Sequence, residues 1–241
     1  MKYNILFPVY NEENRLENGI VKTISFIEKY MKDFDYILTI VDNASTDKTS
    51  AIAKRLEKTY DKVNYISILQ KGVGAAFRAG VKQNECEIIG YMDVDLSTDL
   101  RYLLSVQNIF EENENIMMVN ASKQAKGARC IGRKWYRNIT SKGLTLLMKA
   151  ALNMKSSDAI CGFKFFRKEF LSQLMIAANE SENGWFYIIE LLIRAERSGG
   201  KIVELPVVYT EVEGGHVNVI AQTINYGSNI YKLRRRLRNG V

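Results

Sequence analysis

The first half of the chain repeats one pattern: a short apolar run, a cluster of small polar residues, then a segment with apolar residues at helical spacing. Ile5 to Val9, Tyr36 to Val41, Val63 to Leu69 and Glu87 to Met92 read as buried strands. Between the first two, Asn11 to Lys32 carries Leu16, Ile20, Ile24, Ile27 and Met31 on one helical face. Asp42 to Asp47 is rich in turn and capping residues and introduces a helix through about Leu56. Lys71-Gly72-Val73-Gly74 opens a third helix with Ala75, Ala76, Ala79 and Val81. Strands alternating with helices predict an α/β fold, a mostly parallel central sheet with helices on both faces. Ligands of such sheets bind beyond the carboxyl ends of the strands, and every polar cluster named here stands at that end.

The pattern continues with a helix over Thr98 to Glu112 and a strand over Ile116 to Asn120. A basic, glycine-containing loop follows, with Lys123, Lys126, Arg129, Arg133, Lys134 and Arg137. Thr140 to Met154 reads as a helix that is apolar around most of its circumference, as buried helices are. Its flanking Lys142, Lys149 and Lys155 leave insertion into a lipid surface as the alternative. A strand over Ile160 to Phe166, helices to about Ala178 and from Trp185 to Arg197, and a strand over Ile202 to Tyr209 complete the predicted elements. Gly214-Gly215-His216 forms a turn before a basic end, Lys232 to Arg238. With 241 residues, 46% of them hydrophobic, and no repeat or linker, we expect one domain over 1–219 and a basic amphipathic segment over 220–241.

The run Ile88 to Met92 ends in Asp93-Val94-Asp95. In extended backbone, residues i and i+2 point the same way, so both carboxylates can face a hard cation. The competing use is local: Asp95 or Ser97 as a helix cap and Asp93 as a turn residue. Three cysteines and one histidine, without metal-site spacing, argue against a disulfide framework or a zinc centre. No stretch reaches the roughly 18 apolar residues of a membrane span. The net charge of +7 suits phosphorylated substrates or an anionic membrane surface. Nucleic acid is disfavoured, because aromatic residues are not interleaved with the basic ones.

Four signatures stand in order: Phe7-Pro8-Val9-Tyr10-Asn11-Glu12-Glu13, Val41-Asp42-Asn43-Ala44-Ser45-Thr46-Asp47, Lys71-Gly72-Val73-Gly74 and Asp93-Val94-Asp95. Together they resemble the family 2 glycosyltransferases, whose GT-A fold is a Rossmann-like, mostly parallel sheet. Asp158 to Lys164 and Glu190-Leu191-Leu192 extend the resemblance over nearly the whole chain, and this half looks like the dolichyl-phosphate mannose synthase and polyprenyl-phosphate glucosyltransferase branch. The resemblance implies that Pro8, Tyr10 and Glu12 line a nucleoside pocket, with Asn43 beside Asp42, which would accept a hydrogen bond from the base. From the residues alone, Asp42 or Ser45 serves equally well as a cap. Lys71 and Gly72 would pass beside the nucleotide, as would Asp93 and Val94. A dinucleotide-binding reading of Gly72 and Gly74 fails, because Phe77 stands where the third glycine belongs. Asp93 and Asp95 would hold Mg²⁺ or Mn²⁺, chiefly through Asp95, against the leaving diphosphate.

On the acceptor side the resemblance places basic residues, with Lys123, Arg133, Arg137 and Lys142 the suitable ones here. Asp158 and Glu190 would orient the sugar or act as a base toward a hydroxyl acceptor, with packing or capping as the local alternative. His216 would contact diphosphate or metal, or be an ordinary loop residue. The chain departs from its relatives at Thr98-Asp99-Leu100, where many carry a His-Pro segment, and in lacking the C-terminal spans many possess. We therefore expect a cytoplasmic protein, peripheral at the inner face of the cell membrane, or one with a separate membrane-protein partner.

The implied reaction is inverting, metal-dependent transfer of a hexose from a nucleotide diphosphate sugar, of GDP-mannose or UDP-glucose type, to a polyprenyl or dolichyl phosphate. Transfer to a hydroxyl of a lipid-linked saccharide in surface-polysaccharide synthesis is the rival within the class. A non-catalytic nucleotide-sugar-binding protein is the rival outside it, and the intact acid pair argues against that.

Overall fold

The computed structural model describes residues 1–212 and 219–239. Gly214, Gly215 and His216, expected from the sequence to form a turn, lie outside the described residues. Strands β1 (Lys2–Val9), β2 (Asp35–Asn43), β3 (Val63–Ile68) and β4 (Ile88–Met92) alternate with helices α1 (Leu16–Tyr30), α2 (Thr49–Thr59) and α3 (Val73–Lys82). Next come α4 (Tyr102–Glu112), β5 (Ile116–Ser122), β6 (Arg129–Ile131), α5 (Trp135–Leu152) and β7 (Phe163–Arg167). The remainder is α6 (Lys168–Ala177), α7 (Phe186–Arg197), β8 (Lys201–Pro206), β9 (Val208–Thr210) and α8 (Val219–Arg238).

Seven strands form one sheet in the order β3-β2-β1-β4-β7-β5-β8. The pairs β1 with β2, β1 with β4, β2 with β3 and β5 with β8 are parallel, while β7 runs against both β4 and β5. The reversal has a functional consequence. The first residues of β7, rather than its last, lie beside the carboxyl end of β4, so that Asp93 N–H donates to the Gly162 carbonyl at 3.1 Å.

Side chains alternate across the sheet as extended backbone requires. Ile5, Phe7, Ile88, Met92, Phe163 and Phe165 point to one face, where α1, α2 and α4 add Leu16, Ile20, Leu56, Val106 and Phe110. Leu6, Ile89, Tyr91, Met118 and Phe166 point to the other, covered by α3, α5, α6, α7 and α8 through Phe77, Met148, Leu171, Leu192 and Leu233. With both faces covered, each such side chain contributes about 1.5–3 kcal/mol relative to exposure.

Some boundaries differ from expectation for local reasons. Helix α1 starts at Leu16 rather than Asn11, because Asn11 has a φ of 55° and its N–H is held by Ser45 Oγ. The strand expected from Ile160 starts at Phe163, after Asp158 Oδ1 has bound Ile160 N–H at 2.8 Å and turned the chain. The strand expected over Ile202 to Tyr209 divides at Val207, whose N–H donates to Ser122 of β5 and whose carbonyl accepts from Arg129 of β6. This switch creates a second sheet of β6 and β9, which the sequence did not suggest. Helix α5 uses Met148 and Leu152 in the core but leaves Leu146 and Leu147 exposed.

Candidate active site

A cleft of about 510 Å³ opens where the carboxyl ends of β1, β2 and β4 meet the loop before β7. On one side it is lined by Pro8, Tyr10, Glu12, Asn43, Lys71 and Gly72. The loop after β1 is fastened to the loop after β2. Asn11 N–H donates to Ser45 Oγ (2.9 Å), Glu12 N–H to Thr49 Oγ1 (2.8 Å), and Thr46 N–H to Asn11 Oδ1 (2.8 Å). Asn43 extends the network, with Nδ2 donating to the Val9 carbonyl (2.7 Å) and Oδ1 accepting from Gly72 N–H (3.1 Å). Gly72 has a φ of +124°, and a Cβ there would collide with the Asn183 carbonyl, so glycine is required on both counts. Lys71 Nζ donates to Tyr10 OH at 3.0 Å and lies 4.9 Å from the centre of its ring. The Glu12 carboxylate pairs with Arg15.

Asp42 does not line this cleft. It is buried, with one oxygen accepting from Ser45 N–H (2.9 Å) and the other from Tyr65 OH (3.2 Å). These bonds hold the loop after β2 and are not a helix cap, since α2 does not begin until Thr49.

At the centre, Asp93, Val94 and Asp95 line the cleft. Asp93 Oδ1 accepts from Tyr91 OH at 3.2 Å, and a Cβ on Gly162 would occupy the space its carboxylate fills. Burial, reinforced by the neighbouring Asp95 charge, pushes the Asp93 carboxyl up to about 7. Asp95 Oδ1 accepts from both the N–H (2.9 Å) and the Oγ (2.6 Å) of Ser97, which fixes its orientation. This is an Asx-type turn rather than a helix cap, because α4 does not begin until Tyr102. Among the described residues no third His, Cys, Asp or Glu completes a ligand group. Two crowded hard-oxygen donors still fit Mg²⁺ or Mn²⁺, ions that commonly take one or two carboxylates and complete their shell with phosphate and water. A divalent cation would also relieve the repulsion that raises Asp93.

The other side of the cleft is cationic, with Lys123, Arg133 and Arg137 beside Thr140, Ser141 and Leu144. Lys142, expected with them, is not among the lining residues. Asp158 is fully buried outside the cleft, where Oδ2 accepts from Lys123 N–H at 3.0 Å and stands 3.9 Å from Lys123 Nζ. It therefore positions Lys123. Glu190 is also fully buried and outside the cleft, between α7 and α8, bonded by Arg194 Nε (2.9 Å) and by both Nη atoms of Arg236 (2.8 Å each).

Sequence reasoning did not select Trp185, Tyr209, Glu211 or Tyr226, all of which line the cleft. Asn183-Gly184-Trp185 offered a signal for the first, as a glycine-containing entry to a helix. Tyr226 reaches the site only because α8 packs on α5 and α7, which no local pattern announces.

The model of glycosyl transferase family 2 matches residues 4–175. The glycosyltransferase AglD of Haloferax volcanii is 26% identical over 96% of this chain, which spans 37% of that protein. The human dolichyl-phosphate beta-glucosyltransferase is 28% identical over 99% of this chain and 76% of its own length. The dolichol-phosphate mannosyltransferase of Pyrococcus furiosus is 26% identical over 98% and 64%. Among solved structures, glucosyl-3-phosphoglycerate synthase from Mycobacterium tuberculosis, in complex with Mn²⁺, UDP and glucosyl-3-phosphoglycerate, superposes with a TM-score of 0.70 at 15% identity. That match covers 98% of this chain and 79% of the other. The shared architecture is the GT-A fold.

Proposed function

This chain belongs to glycosyl transferase family 2, and from that premise we propose that it moves a hexose from a nucleotide diphosphate sugar to a polyprenyl phosphate, with inversion at the anomeric carbon. The observation that carries the reading is the opposition, across one cleft, of the Asp93–Asp95 pair and the cations Lys123, Arg133 and Arg137. The relatives named for transfer to dolichyl phosphate support the same acceptor class. Pro8, Tyr10, Asn43, Lys71 and Gly72 would seat a donor of UDP-glucose or GDP-mannose type. Asp95 and Asp93 would hold Mg²⁺ or Mn²⁺, whose contribution when bound is to neutralise the departing diphosphate.

The three cations would place the acceptor phosphate for in-line attack. One of its oxygens forms the bond to the anomeric carbon as the bond to the diphosphate breaks. A phosphate is already anionic and needs no general base, in agreement with a site from which Asp158 and Glu190 are turned away. Incubation with radiolabelled donor and polyprenyl phosphate should give a labelled lipid. Arg133→Ala with Arg137→Ala should lower kcat/KM for the acceptor by about a hundredfold, the loss of two charge-assisted contacts. Absence of any labelled lipid from the wild-type protein would refute the assignment.

One exposed face of α5 suits an anionic membrane. On α5, Trp135, Ile139 and Leu146 lie along one stripe at 73%, 61% and 69% exposure. No acidic residue stands between Glu114 and Asp158, whereas Lys126, Arg129, Lys134, Lys142, Lys149 and Lys155 do. Among the described residues no helix is long and apolar enough to cross a membrane. Replacing Trp135, Ile139 and Leu146 together by Ser should weaken co-sedimentation with phosphatidylserine-containing vesicles more than about tenfold. Unchanged sedimentation would remove α5 as the attachment face.

A further inference from the structure

The cation cluster already contains an anion of its own. Tyr209 in β9 and Glu211 just beyond it are two residues apart on extended backbone, which Glu211 N–H prolongs by donating to the Ile131 carbonyl at 2.9 Å. Both side chains face the cleft. The Tyr209 ring carries Lys123 Nζ 4.7 Å and the Arg133 guanidinium 5.7 Å from its centre. Glu211 Oε1 pairs with Arg137 Nη1, and Oε2 stands 3.6 Å from Arg133 Nη1.

This pairing is unfinished. Glu211 Oε2 and Arg137 Nε are both buried with no hydrogen-bond partner among the described residues. Buried polar groups that serve only to hold a fold are nearly always satisfied. One carboxylate shared by two guanidinium forks cannot meet either of them bidentately. A phosphate monoester offers three oxygens and about twice the negative charge at neutral pH.

We propose that Glu211 is the resident anion of the acceptor site, holding Arg133 and Arg137 in place until the acceptor's phosphate displaces it, and so setting a threshold that neutral hydroxyl acceptors do not pass. The inference rests on the reading of Arg133 and Arg137 as acceptor-phosphate ligands and adds a selector to it. A phosphate gains both forks in exchange for the carboxylate it displaces. A hydroxyl has no charge to offer them and would leave two guanidiniums without a counter-ion.

Geranyl phosphate, a soluble prenyl monophosphate, is the probe, and geraniol its neutral counterpart. Isothermal titration of the full chain should show Glu211→Gln binding geranyl phosphate about tenfold more tightly than wild type, the release of one competing charge-assisted pair. Geraniol should gain nothing. Glu211→Ala is the second variant, because it also removes the carboxylate without substituting an amide that could bond Arg137, and it should move in the same direction. If both variants bind geranyl phosphate as wild type does, or more weakly, Glu211 is a scaffold for the arginines and the proposal is overturned while the phosphate acceptor stands. If neither wild type nor variants bind geranyl phosphate, the acceptor assignment fails and the proposal fails with it.

Discussion

Asp95→Ala is expected to lower hexosyl transfer by about a thousandfold or more, with the fold intact. Asp95 lines the cleft, and its one described bonding partner is Ser97, two residues away, so its removal opens no long-range tie. Under the proposed reading, what would be lost is a carboxylate that holds a divalent ion against the diphosphate, a contribution of several kcal/mol to the transition state. Asp93 alone is a poor substitute, since it leaves one carboxylate in the cleft where the cation would have had two. The measurement is transfer rate alongside the affinities for UDP and GDP with and without Mn²⁺. Mn²⁺ should strengthen binding of whichever nucleotide wild type takes and leave the variant unaffected. Full activity of Asp95→Ala, or of wild type in excess chelator, would show that the pair holds no ion needed for transfer.

Glu190→Ala is expected to act on stability, lowering it by about 3–5 kcal/mol, the usual cost of stripping a buried charge cluster of one sign. Glu190 is fully buried, and its two oxygens hold Arg236 of α8 and Arg194 of α7 together. Without it the guanidiniums repel each other in a site that water enters only partly. Helix α8 would loosen, and with it Tyr226 would leave the cleft wall. Thermal or urea unfolding reads this directly. A variant with wild-type stability and a collapsed transfer rate would argue that Glu190 acts on the substrate instead.

These two carboxylates illustrate where the sequence was informative. Asp95 was legible because its signal is local: an apolar run, an i, i+2 spacing and a position at a strand end all fall within a few residues. The strand and helix alternation was legible for the same reason, and the polar clusters after β1, β2, β3 and β4 do converge on one cleft. Glu190 was not legible in this way. A glutamate on a helix reads the same whether it faces a sugar or an arginine, and the arginine that matters is 46 residues away. Asp42 and Asp158 share that ambiguity: neither carboxylate lines the cleft, and each is bonded by protein groups, Ser45 and Tyr65 for Asp42 and Lys123 and Ile160 for Asp158.

The sequence by itself determined the period of each element, the faces that must be buried, and the residue types available at each strand end, since all of these follow from backbone geometry and local hydrophobic spacing. Only the tertiary structure decided the reversed direction of β7, the switch of the chain at Val207 into a second sheet, and the placement of Tyr209, Glu211, Trp185 and Tyr226 around the acid pair. Those outcomes depend on which distant surfaces pack together, and a side chain's partner, unlike its period, is set by the whole fold.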